Sequence, residues 1–159
     1  MLSSMRPKVV LNAVAGTTGA TMASSIIDTI GCDRVELDIW ATTQGTSTQA
    51  GSPTVLKLQE ADNTSASSFV DIVGFRGGSA TATNVDFVVP IGVTSGINNY
   101  KFNVNYRGSV RKRYLSAVLT VGNLASTSNS QTFYALANLN YQEAGSTAAK
   151  AGVLSLIEG

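Results

Sequence analysis

The sequence predicts an all-β chain: an antiparallel β-sandwich, jelly-roll-like, with extended N- and C-terminal arms. Three observations carry that prediction. From residue 35 onward apolar residues recur with a period of two, the spacing that puts alternate side chains on one face of a strand. Stretches rich in Gly, Ser, Thr and Asn separate these runs at the spacing of a sandwich. Charged residues make up 13% of the 159, well below the usual share of about a quarter. Ser and Thr each outnumber Lys and Arg combined, which disfavours helices and suits strands.

The elements follow in chain order. Val9 to Val14 is a short strand candidate. Arg6 and Lys8 before Val9-Val10-Leu11, with Ala13-Val14-Ala15 behind them, imitate a secretory leader, but Asn12 interrupts an apolar run already too short for one. Gly16 to Thr21 reads as a linker and Ser25 to Asp28 as a second short strand. Val35, Leu37 and Ile39 alternate with Glu36 and Asp38, a half-buried strand. Leu56 and Leu58 point inward from Thr54 to Glu60, followed by Phe69 to Val73 and by Val85, Phe87 and Val89 before Pro90 ends the run. Tyr100, Phe102, Val104 and Tyr106 give the cleanest alternation. Leu115, Ala117, Leu119 and Val121 form the next inward set, and Phe133, Ala135, Ala137, Leu139 and Tyr141 the last. About eight antiparallel strands in two sheets result, with a jelly roll preferred to an immunoglobulin-like order.

Residues 1–24 therefore read as an N-terminal arm or first strand with its linker, 25–143 as the sandwich, and 144–159 as a small-residue spacer with an apolar tail. Val153, Leu154, Leu156 and Ile157 in that tail are expected to dock, on their own domain or on a neighbouring subunit.

Composition excludes most chemistry. Lys and Arg total 11 against 10 for Asp and Glu, a net charge of +1, so no whole-molecule field favours nucleic acid or an anionic membrane. No stretch approaches the roughly 18 apolar residues of a membrane helix. His is absent, removing the commonest general base and zinc ligand. The serines lack a Gly-x-Ser-x-Gly elbow. Cys32 lies between Gly31 and Asp33, where the acid disfavours a thiolate, and reads as a small half-buried residue. Asp28, Asp33, Glu36 and Asp38 match no calcium loop. Asp62-Asn63-Thr64 reads as an Asx turn and Arg76-Gly77-Gly78-Ser79 as another turn, without the lysine and helix of a phosphate loop. No catalytic residue, cofactor or metal is expected.

Two features point to partners. Arg107, Arg111, Lys112 and Arg113 concentrate positive charge between two strands, suited to solvent or to an acidic protein surface. Trp40 falls on the Glu36/Asp38 side of its strand, opposite the core face, as an interface anchor would. Tyr134 and Leu136 likewise make the last strand apolar on both faces.

Ser25 to Leu37, Val55 to Asn63 with Phe69 to Gly74, and Tyr106-Arg107-Gly108 leading into Arg111 to Val121 occur as three ordered blocks. They resemble the head-decoration or cement proteins of tailed bacteriophages. The resemblance implies a non-enzymatic β-sandwich on the outer capsid surface of the virion, made in the host cytoplasm. Its partner would be the major capsid protein, and it would act as a homo-oligomer, a dimer or trimer, that gains from multivalency. Met1 to Thr21 or the apolar tail would lash subunits, and the basic residues would meet acidic capsid loops. The long loop at Ala61 to Ser68 and the C-terminal tail depart from the family. The alternative is a carbohydrate-binding or adhesin-like module, with Trp40 and tyrosines stacking on sugars.

Overall fold

The computed structural model describes residues 3–42, 53–79, 81–90, 97–122, 124 and 131–142. They contain ten strands: β1 (Ser3–Gly16), β2 (Thr21–Ala23), β3 (Ile27–Asp28), β4 (Arg34–Thr42), β5 (Val55–Ala61), β6 (Val70–Gly78), β7 (Phe87–Val88), β8 (Ile97–Asn105), β9 (Tyr114–Thr120) and β10 (Gln131–Gln142). A single 3₁₀ turn spans Ala66–Ser68. The strands form two sheets. One is antiparallel throughout, in the order β1-β10-β4-β8. The other runs β2-β9-β5-β6-β7, with β3 also paired to β9.

The alternation seen in the sequence sets the core. Val35, Leu37, Ile39 and Ala41 of β4 lie opposite Leu139, Ala137, Ala135 and Phe133 of β10, and all eight are buried. Leu56 and Leu58 of β5, with Leu115, Ala117 and Leu119 of β9, are fully buried on the second sheet. The two inward faces close on one another as in a two-sheet sandwich. Phe102 of β8 is contacted from the other sheet by Phe75 and Phe87, with ring centroids 6.0 and 6.1 Å away. The Phe75 ring meets it edge-to-face and the Phe87 ring is tilted, and such aromatic contacts add to the burial.

One local expectation is extended and two are corrected. The short strand expected over Val9 to Val14 belongs to a strand over residues 3–16, paired to β10 from Ser3↔Gln142 to Gly16↔Gln131. Val10 and Leu11 enter the core through the register shifts that interrupt this ladder. Pro7 is tolerated because β1 is an edge strand, where a missing N–H breaks no inner ladder.

Second, Arg76, Gly77 and Gly78 continue β6 instead of turning, opposite Lys57, Leu56 and Val55. A Cβ on Gly77 would overlap the Phe87 ring and the Leu56 carbonyl, and one on Gly78 would overlap Val85. The glycines thus serve close packing. Third, β7 runs parallel to β6, through Gly77↔Phe87 and Gly78↔Val88, so the sandwich is not wholly antiparallel. Asp86 fixes this return: its carboxylate accepts from the backbone N–H groups of Gly74 (2.6 Å) and Arg76 (3.0 Å), while its own N–H donates to the Arg76 carbonyl (2.7 Å).

Candidate functional site

Two surfaces gather the residues singled out by sequence, at opposite ends of the sandwich. The first is the connection from β8 to β9. The Tyr106 and Arg107 N–H groups both donate to the Asp33 carbonyl, at 2.8 and 3.2 Å. Gly108 takes a positive φ of 70°, a conformation that costs glycine little. The Ser109 hydroxyl closes the turn by donating to the Asn105 carbonyl at 2.6 Å.

Beyond this turn the basic cluster is mostly matched within the chain. Arg111 lies 3.7 Å from Glu60 and Lys112 3.4 Å from Asp62. Arg113 grips Asp28 with two hydrogen bonds, Nε to Oδ1 at 2.9 Å and Nη2 to Oδ2 at 2.7 Å, and its guanidinium lies 5.0 Å from the Tyr114 ring centroid. Those bonds hold the Asp28 carboxyl below its ordinary range. Arg107 is in none of these pairs. Val110, between Arg107 and Arg111, is fully exposed.

The second surface is the outer face of the four-stranded sheet. Trp40 emerges there as the period of two requires, and its direct cross-strand partner on β10 is Tyr134. Leu136, two residues on, has Val9 of β1 as its partner on the other side. Ile97 of β8 completes the set opposite Thr42. Together they line an open groove of about 360 Å³ with Asn12 as its one amide side chain. Val9 and Ile97 remain 62% and 63% exposed and Tyr134 41%. The other half of the same face is polar: Arg34 pairs with Glu36 at 2.5 Å and Lys101 with Asp38 at 3.1 Å.

Sequence reasoning found Trp40, Tyr134 and Leu136 on this face but not Val9 or Ile97. Ile97 lies three residues before Tyr100, beyond Asn98 and Asn99, whose polarity hides it. Val9 opens the strand candidate Val9 to Val14, whose place beside β10 the sequence does not display. Val153, Leu154, Leu156 and Ile157 lie outside the described residues.

The remaining candidates carry structure. The Cys32 thiol is buried, donates to the carbonyls of Arg34 (3.0 Å) and Asn140 (3.2 Å), and is raised above its ordinary pKa chiefly by burial. The Ser65 N–H donates to Asn63 Oδ1 at 2.9 Å, the expected Asx turn. Among the described residues no three His, Cys, Asp or Glu side chains come together as a metal site, and no helix is long and apolar enough to cross a membrane.

No protein-family model matches the chain. No curated protein matches it either. In fold the chain is similar to a chain in the structure of infectious bursal disease virus, Gx strain. The TM-score is 0.51 at 10% identity, over 92% of this chain and 34% of that one. This is a jelly-roll-like all-β fold. The present chain spans about a third of the viral chain's length, so the likeness covers nearly all of one and a part of the other.

Proposed function

We propose that the protein is a non-enzymatic structural component of a virus particle, a decoration or cement protein bound to the outer surface of a tailed-phage head. The observation that carries this reading is the fold: 92% of the chain follows a chain of a virus structure. The ordered blocks between residues 25 and 121 give the same reading from the sequence. The chain's conspicuous surface features are also of the kind used for docking rather than reaction: a basic end and an apolar groove.

In this reading the basic end faces the major capsid protein. Arg107 and Val110 are both exposed at this end. Lys112 and Arg113 exchange their intrachain acids for capsid carboxylates at little cost, because exposed ion pairs contribute little to stability, whereas Arg111 stays with the more buried Glu60. Oligomerisation at a capsid symmetry axis supplies the avidity that one small module lacks.

The test is reconstitution. Purified protein is added to heads made without it. Saturable binding at fixed lattice positions, with a raised rupture temperature of the heads, is the expected result. Absence of the protein from purified virions together with no binding to such heads overturns the proposal.

A further inference from the structure

From the groove on the outer face of the four-stranded sheet we infer an intramolecular docking site: Val9, Trp40, Ile97, Tyr134 and Leu136 form the seat of the chain's own C-terminal apolar segment, Val153 to Ile157. This inference concerns the isolated subunit and does not depend on what particle the protein is mounted on.

The seat is a property of the sheet. Its opposite face already supplies the core, so these five side chains have no role in closing the sandwich. Three of them stay more than 40% exposed around a groove of about 360 Å³, the share of liquid volume held by about a dozen waters. With one amide in the lining, those waters find few partners there, and aliphatic side chains that displace them are favoured.

The occupant follows from where the chain goes. β10 runs away from the groove, passing Tyr134 and Leu136 and ending at Gln142 on the polar half of the face. Getting back from Gln142 to Leu136 covers about 20 Å and to Tyr134 about 27 Å, at roughly 3.4 Å per strand residue. The ten residues 143–152 separate Gln142 from Val153, and ten residues reach at most about 36 Å. Their composition is mostly Ala, Gly, Ser and Thr, without a proline to forbid the return. A short connection that can span the distance makes the contact intramolecular, with an effective concentration that reaches the millimolar range. That favours the chain's own segment over the same segment of another copy at ordinary protein concentrations. The segment itself presents Val153, Leu154, Leu156 and Ile157 with no charge among them.

Trp40 is the sole tryptophan, so its fluorescence reports on the seat directly. The full chain is compared with a chain ending at Gly152, with Leu154→Asp/Leu156→Asp, and with Val9→Asp on the seat side. Far-ultraviolet circular dichroism and sedimentation are recorded for each. The expected result is a red-shifted emission and a several-fold larger acrylamide quenching constant in all three variants, the same at every protein concentration, with the full chain monomeric at low micromolar concentration. Unchanged emission and quenching in the folded truncated and Leu154→Asp/Leu156→Asp chains overturn the inference. A Trp40 that is shielded only at concentrations where the full chain dimerises also overturns it, assigning the seat to a second copy. Failure to bind heads, by contrast, would bear on the proposed function alone.

Discussion

Trp40 of β4 stands directly opposite Tyr134 of β10 on the solvent side of the sheet, while the residues one step along, Ile39 and Ala135, face each other in the core. One ladder thus has two apolar faces with different work. Trp40→Ala removes a cross-strand aromatic partner that is only half buried, and is expected to lower stability by about 1 kcal/mol. Phe133→Ala, one residue before Tyr134 and fully buried, is expected to cost about 3–5 kcal/mol through its cavity. Urea unfolding of the two variants checks this: the difference between them separates surface from core on a single strand.

The glycines of β6 give a second expectation. Gly77 lies where the Phe87 ring and the Leu56 carbonyl close over the strand, so Gly77→Ala must push β7 off the sheet edge. Overpacking of this kind costs about 1–3 kcal/mol. Hydrogen exchange at Val89, whose N–H donates to the Gly78 carbonyl at 2.9 Å, should accelerate in the variant while β4 and β10 keep their protection. Gly108→Ala should do less locally, since nothing crowds that position and only its positive φ is strained.

How much of this was legible in the sequence depends on which force placed each residue. Where burial alone decides, as at Val35-Leu37-Ile39 or Leu115-Ala117-Leu119, the period of two names both the strand and its inward face. Arg76-Gly77-Gly78 reads as a turn, and the strand expected over Val9 to Val14 reads shorter than it is, because both strands rest on something local composition does not display. For the first it is close approach by the distant Phe87 ring. For the second it is a long partner, β10, found about 130 residues away. The basic cluster was legible as a cluster but not as a set of pairs, because Glu60, Asp62 and Asp28 reach it from other strands and turns. The groove was half legible: Trp40 and Tyr134 break the alternation of their own strands, whereas Val9 and Ile97 become neighbours only through the strand order.

Acid should unfold the protein through its carboxylates. The Arg76 hydrogen bonds, reinforced by the backbone N–H groups of Arg76 and Gly74, hold the Asp86 carboxyl far below its ordinary range. For Asp71, burial raises the pKa, but hydrogen bonds from Lys57 and Gln59 outweigh it and the net shift is downward. Asp28 is lowered by Arg113. A depressed folded-state pKa contributes stability that is present above the unfolded value, about 3.9 for Asp, and is lost as pH falls below it. Stability should therefore hold steady from pH 7 to about 5 and decline below about 4, and Asp86→Asn should lower the plateau and shallow the decline. At the other extreme, burial pushes the Tyr106 phenol up to about 12. A neutral form favoured by folding contributes stability below the unfolded value, about 10, that disappears as pH rises toward 12. Tyr106→Phe should flatten that alkaline limb in thermal melts recorded across the range.

Within the basic end, the single substitutions should divide by whether the cation already has an acid. Arg113 and Asp28 are exposed and bonded to each other, so Arg113→Ala should cost little stability but should weaken head binding, because it removes a cation and leaves the Asp28 carboxylate unpaired before the capsid acids. Among the described residues Arg107 has no ion pair to give up on binding. Arg107→Glu should leave the unfolding midpoint nearly unchanged while slowing association with heads about tenfold at low salt, since reversing one charge acts on steering more than on the bound contact. Raising the ionic strength to about 0.5 M, where screening operates over only a few ångströms, should bring the two association rates together. Rates measured by light scattering over a salt series decide it: equal rates for wild type and Arg107→Glu at every salt concentration would mean that this end of the sandwich does not face the capsid.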